Sequence, residues 1–244
     1  MAGNRSLKNK NFTDEFHKIL KRFKKGHPFA LSKYADGEWN IINETPHWGH
    51  VDGWYYLPYV DKFYRNKLYE SFIFKHPDYI IGISCRCCAG DEVHEQMKKT
   101  CNQPDNNLTF ANLFVNGNYN DFLNKLVPLF TNYTVYIIAN KKAQMKKLPF
   151  KVKKHFMIDE IAWKNNYNSI EEIKQYIEKH HIEGALFLFA SGPLGNMLAH
   201  QLFDSFPSNI YLDIGSTLNP QMDMGANRGY LQGAETSKRM CIWK

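Results

Sequence analysis

Four apolar runs dominate this chain: residues 79–84 (YIIGIS), 134–139 (TVYIIA), 185–190 (ALFLFA) and 210–214 (IYLDI). A strand with one wet face alternates apolar and polar residues, whereas a strand covered on both faces reads as a near-continuous apolar run. None of these four alternates. The stretches 169–180 and 194–206 lie between the later runs and carry helical periodicity, with Ser169 and Glu172 spaced as a capping box. Strands separated by helices imply βαβ units. The expected fold class is therefore α/β and Rossmann-like, with a mostly parallel central sheet flanked by helices. Further strands are predicted at 29–34 and 155–158, with a weaker one at 109–115 and a helical stretch at 120–127.

The first helix is predicted over 13–25. Phe16, Ile19, Leu20 and Phe23 share one face, Thr13 stands where a cap belongs, Asp14 and Glu15 suit the positive end, and Gly26 ends it. With 244 residues and no repeat or linker, one domain spanning 1–244 is expected. Within it, 1–26 supplies the N-terminal helix and 220–244 a tail packing on or over the site.

A net charge of +7 favours anionic partners: a phosphorylated small molecule, nucleic acid or an acidic membrane surface. No nucleic-acid-binding module is recognisable, so nucleic acid is not expected, while peripheral membrane contact stays compatible with the charge. The polar N-terminus lacks a secretory signal, and no apolar stretch reaches the ~20 residues that cross a bilayer, which points to the cytoplasm. Reduced thiols are expected there. Cys85, Cys87 and Cys88 lack both the usual Cys-x2-Cys spacing and a second nearby pair, so no zinc site is expected.

Parallel sheets bind ligands beyond the carboxyl ends of their strands, so the residues following each run are the candidates. After 185–190 come Ser191, Gly192, Pro193 and Gly195, leading straight into a helix. That arrangement presents free N–H groups and a helix N-terminus, suited to phosphate. It is neither a dinucleotide fingerprint nor a Walker loop. After 29–34 come Asp36 and Glu38 around Gly37, two carboxylates able to converge on a hard divalent cation and so neutralise a diphosphate. By itself such a triplet is a common surface turn. Arg86 and Arg228 are candidate phosphate contacts. Asn140 is a candidate for base or ribose, and Asp213 either a structural acceptor or a reacting group. In the aromatic segment 45–59, His50 and Asp52 are candidates for the acceptor side and its general base.

Residues 29–39 (FALSKYADGEW) resemble the Arg-(Phe/Tyr)-Gly-Asp-Gly-Glu signature of the GT-D-fold glycosyltransferases. Residues 189–198 (FASGPLGNML), 211–216 (YLDIGS) and 227–230 (NRGY) resemble that family's Gly-Pro turn, terminal Asp-Ile-Gly strand and closing motif. The likeness leaves roughly 45–105 uncovered. It implies a GT-D-type fold and a hexosyltransferase-like enzyme moving sugar from a UDP-sugar to a glycan or glycoconjugate hydroxyl. It further implies Mn²⁺ or Mg²⁺ on Asp36 and Glu38, catalytic placement of Asp36, Glu38 and Asp213, and donor contacts from Lys33, Tyr34 and the 191–195 turn. Lys33 stands where the family has Arg, replacing a bidentate fork by a point charge, and Ala35 stands where Gly is common. Two other classes fit parts of the pattern: another Rossmann-like enzyme (a methyltransferase or nucleotide-sugar hydrolase), and a basic protein binding nucleic acid or membrane surfaces.

Overall fold

The computed structural model describes residues 9–48, 55–226, 228–232 and 238–244. Seven parallel strands form the central sheet: β1 (Phe29–Tyr34), β4 (Tyr79–Ile83), β5 (Leu108–Phe110), β6 (Val135–Asn140), β7 (Val152–Ile158), β8 (Leu186–Ala190) and β9 (Ile210–Asp213). They lie in the order β5-β4-β1-β9-β8-β6-β7, while β2 (His47–Trp48) and β3 (Tyr55–Tyr56) pair antiparallel apart from it. The expected α/β, Rossmann-like sheet is the one observed. Strands β4, β6, β8 and β9 are buried almost throughout. Their unbroken apolar runs follow from helices covering both faces.

Helix α1 (Phe12–Lys24) buries Phe16, Ile19, Leu20 and Phe23 as its periodicity requires. Its cap is Asn11, not Thr13: Asn11 Oδ1 accepts from the N–H groups of Thr13 and Asp14 at 3.0 and 3.1 Å. The helix thus starts one residue earlier, and Gly26 follows it at φ +62°, a left-handed conformation suited to glycine. The capping box at Ser169 and Glu172 is also corrected. Ser169 is the first residue of the Ser169–Lys179 helix, and its buried hydroxyl makes no hydrogen bond among the described residues. Of the weaker strand at 109–115 only β5 pairs, because residues 111–115 turn away from the sheet. The 120–127 stretch is one α-helical turn followed by π-helix and then by the start of a 3₁₀-helix, Val127–Asn132, whose first turn holds Pro128.

The Asp36–Glu38 triplet is not a surface turn but the first residues of a helix. That helix is α2 (Asp36–Ile42), followed by α3 (Lys62–Ile73), α4 (Arg86–Ala89) and α5 (Asp91–Cys101). The buried side chains of the described residues make one continuous core running from Phe12 to Trp243. Strands β4 and β5 follow β1 to one side of it, and β6–β9 all lie on the other. The last strand, β9, fills the gap between β1 and β8 and so joins the two halves of the sheet.

Candidate functional site

Strand β9 lies between β1 and β8, so the segments leaving the three strands are neighbours at one end of the sheet. These segments are the start of α2, residues 213–217, and the 191–195 turn. Asp36 opens α2, exposed, and its carboxylate makes no hydrogen bond or ion pair with the described residues. Glu38, two residues further on, is partly buried, with Oε2 accepting from the Ala35 N–H at 3.0 Å. This is half of a capping box, since Ala35 has no side-chain acceptor to return the bond. Burial pushes Glu38 up to about 7, the negative charges of Asp213 and Asp36 add to that, and the N–H groups of Glu38 and Ala35 oppose it.

Asp213 is buried at the end of β9. Its Oδ2 accepts from the Lys33 N–H and its Oδ1 from the Gly215 N–H, each at 3.0 Å. Burial raises its pKa against the pull of the Lys33 charge and these two N–H donors. Burial lowers Lys33, while Asp213 and Glu38 oppose that. Lys33 Nζ lies 5.4 Å from the Phe114 ring centroid. One lysine and two carboxylates therefore share a poorly solvated corner, with Asp36 at its open rim.

The third segment begins at Ser191, whose buried Oγ makes no hydrogen bond among the described residues. Gly192 turns the chain at φ +55°, and Pro193 opens the helix Pro193–Ser205. A Cβ on Gly195 would lie 3.0 Å from Ser191 Oγ and 3.1 Å from Phe189 Cβ, so glycine is what lets this helix sit against β8. Asn196, not singled out in the sequence, fastens the helix to β1: its Nδ2 donates to Ser32 Oγ at 2.9 Å and to the Lys33 carbonyl at 2.8 Å. The only cue was its place inside the 189–198 motif.

With this geometry in hand, comparison with solved structures is decisive for the fold. A DUF1792 glycosyltransferase from Streptococcus sanguinis superimposes with a TM-score of 0.60 at 16% identity, over 87% of this chain and 86% of its own. A second DUF1792 structure, described as a distinct glycosyltransferase fold, gives a TM-score of 0.57 at 15% identity, over 83% of this chain and 77% of its own. The chain has this glycosyltransferase fold. No family model matches the sequence, and no curated protein matches it.

Within the glycosyltransferase fold, several expected contacts are placed elsewhere. Tyr34 is not at a ligand surface: it is fully buried with its ring 4.6 Å from that of Phe72. Period-2 alternation along β1 turns it to the face opposite Lys33. Arg86 is spent on structure. Its Nε donates to the Trp243 carbonyl at 3.0 Å, and its guanidinium pairs with Asp91 at 3.0 Å and with Glu95. Asn140 Oδ1 accepts from the Lys142 N–H at 2.9 Å in a local turn. Lys141 and Lys142 pair with Asp159 and Glu160, each at 2.7 Å.

Arg228 precedes the short helix Gly229–Gln232, where Tyr230 OH lies 2.9 Å from Ser216 Oγ, so this part of the tail reaches the segment after β9. His50 and Asp52 lie outside the described residues. No helix among the described residues is long and apolar enough to cross a membrane. The cysteines bring a further correction. Cys85, Cys87 and Cys88 do have a distant complement, because the fold carries Cys241 to them.

Proposed function

We propose that the chain is a metal-dependent glycosyltransferase that moves a hexose or related sugar from a nucleotide-sugar, a UDP-sugar, to a hydroxyl of a glycan or glycoconjugate. The observation that carries this reading is the adjacency of the Asp36/Glu38 pair, Asp213 and the 191–195 turn on the neighbouring strands β1, β9 and β8 of a glycosyltransferase fold.

The donor set suits Mn²⁺ or Mg²⁺, which bind through one or two carboxylates and complete their shell with water and phosphate oxygens. Asp36 is uncommitted and Glu38 retains Oε1, so each offers a hard oxygen. A cation there supplies positive charge where the departing diphosphate gathers negative charge. It also favours ionised Glu38, reversing the effect of burial. The Ser191 hydroxyl and the start of the Pro193–Ser205 helix receive the diphosphate, and Lys33 adds charge at the same corner. In the transfer, the bond from the anomeric carbon to the diphosphate oxygen breaks with its electron pair leaving on the diphosphate. The bond to the acceptor oxygen forms as that hydroxyl gives up its proton to a general base, for which His50 and Asp52 are the candidates. The exposed Trp48 ring, stacked on Tyr55 at 5.4 Å, supports an acceptor platform on the β2–β3 hairpin.

Calorimetric titration with UDP tests the reading. Binding is expected with Mn²⁺, with loss of about tenfold or more in affinity under chelator and in Asp36→Ala/Glu38→Ala. Equal UDP affinity in the double variant with excess chelator sinks the metal assignment. Absence of binding by any nucleotide or nucleotide-sugar sinks the transferase reading.

A further inference from the structure

Cys85 leaves the end of β4, Cys87 and Cys88 lie in α4, and Cys241 lies in the C-terminal segment. Their four Sγ atoms all fall within 4.8 Å of one another. None forms a disulfide; the Cys85–Cys87 sulfur separation is 3.3 Å, against about 2.05 Å for an S–S bond. Four thiolates around zinc at about 2.3 Å define a tetrahedron with edges of about 3.8 Å. These sulfurs are already gathered on that scale. A cluster of several irons would need them spread more widely.

The surroundings hold the arrangement. The tail carrying Cys241 is fixed on both sides of it: Gly117 N–H donates to the Arg239 carbonyl at 3.0 Å, and Arg86 N–H to the Ile242 carbonyl at 3.2 Å. Arg86 Nε reaches the Trp243 carbonyl, and the Trp243 ring packs 4.9 Å from His94 and 5.0 Å from Phe110. Two amides point at sulfur: Asn112 Nδ2 lies 3.3 Å from Cys88 Sγ, and Asn116 Nδ2 lies 3.6 Å from Cys241 Sγ. The Arg239 guanidinium bonds the Cys87 carbonyl beside them. N–H donors and a cation around the sulfurs suit thiolates, the form that binds metal, and such outer partners orient ligands and tune affinity.

We propose that Cys85, Cys87, Cys88 and Cys241 bind one Zn²⁺ as a closed, structural four-thiolate site that staples the C-terminal segment to the end of β4. On binding, the four thiols release four protons and the ion takes four sulfur ligands, leaving no open position for catalysis. Soft sulfur ligands exclude Mg²⁺, Mn²⁺ and Ca²⁺, so this ion is chemically distinct from the one assigned to Asp36 and Glu38. The staple acts on β4, the strand beside β1, and so steadies the sheet end from which α2 departs.

Elemental analysis of the full chain, purified under reductant, tests this. About one zinc per chain is expected, retained in Asp36→Ala/Glu38→Ala and in Cys101→Ser, whose thiol is buried elsewhere. Cys88→Ser alters an exposed position, so the fold survives it, and should weaken zinc retention by more than about tenfold. Replacing zinc by Co²⁺ in the wild-type chain should give the intense charge-transfer absorption of a tetrahedral thiolate site. Overturning results are a reduced, folded chain that takes up neither zinc nor cobalt, iron with inorganic sulfide in place of zinc, or full zinc retention in both Cys88→Ser and Cys241→Ser.

Discussion

Asp213 extends the pairing of β1 with β9 by one rung, using its side chain: Oδ2 accepts the Lys33 N–H at 3.0 Å just beyond the last backbone pair, Leu31 with Leu212. The same carboxylate closes the following turn through Gly215. Asp213→Asn keeps the shape, but its amide nitrogen cannot accept, so one of the two N–H groups loses its partner. A buried unsatisfied donor costs about 1–3 kcal/mol. Urea denaturation should show a loss of that size, and a variant as stable as wild type would falsify the structural role.

A Cβ on Gly195 would sit 3.0 Å from Ser191 Oγ and 3.1 Å from Phe189 Cβ, tighter than nearly all real Cβ contacts, so its neighbours would have to give way. Gly195→Ala should push the Pro193–Ser205 helix off β8, at about 1–3 kcal/mol for overpacking. Because Ser191 moves with it, UDP affinity should fall as well. Unchanged stability and affinity would show that the turn relaxes freely.

Arg86 separates a phosphate contact from a structural clamp. Arg86→Ala removes the bonds to Trp243, Asp91 and Glu95. Expected outcomes are a stability loss of about 1–3 kcal/mol, from lost charged hydrogen bonds, and faster proteolysis of the tail. Nucleotide affinity should stay within about twofold, less than 0.5 kcal/mol. A selective loss of UDP binding with the tail still protected would restore the phosphate role.

His200 gives the chain an acid-sensitive element. Burial lowers its pKa from 6.5 to about 4; Asp204 and Glu70 oppose the shift, while Lys174 and Lys67 add to it. The ring lies 4.3 Å from that of Phe74, with Nδ1 3.4 Å from Ser71 Oγ. Between pH 6.5 and about 4 the unfolded chain binds this proton and the folded chain does not. Its contribution is therefore complete above 6.5, is lost as pH falls, and levels off below about 4. The separation corresponds to at most roughly 3 kcal/mol. Denaturation midpoints over this range should fall less steeply in His200→Gln, and parallel profiles would rule the histidine out.

What the sequence determined by itself is the existence of a buried, parallel sheet, not the order of its strands. Runs such as ALFLFA leave no polar face for water, so they must be covered on both sides, and intervening helices of 11–13 residues force parallel crossovers. The 36–38 and 191–195 motifs were legible for the same reason, because a segment following a buried strand must surface at the sheet end. Their neighbourhood was not. Strand order depends on long-range packing, and only β9 inserting between β1 and β8 brought Asp213, Glu38 and Ser191 to one place. Roles that depend on distant partners were hidden too. Arg86 meets the Trp243 carbonyl and Cys85 meets Cys241 only after the chain end docks on the strand end. Local patterning fixes which residues are buried and which reach the ligand-facing rim; tertiary contact decides which of those rim residues are occupied by the protein itself.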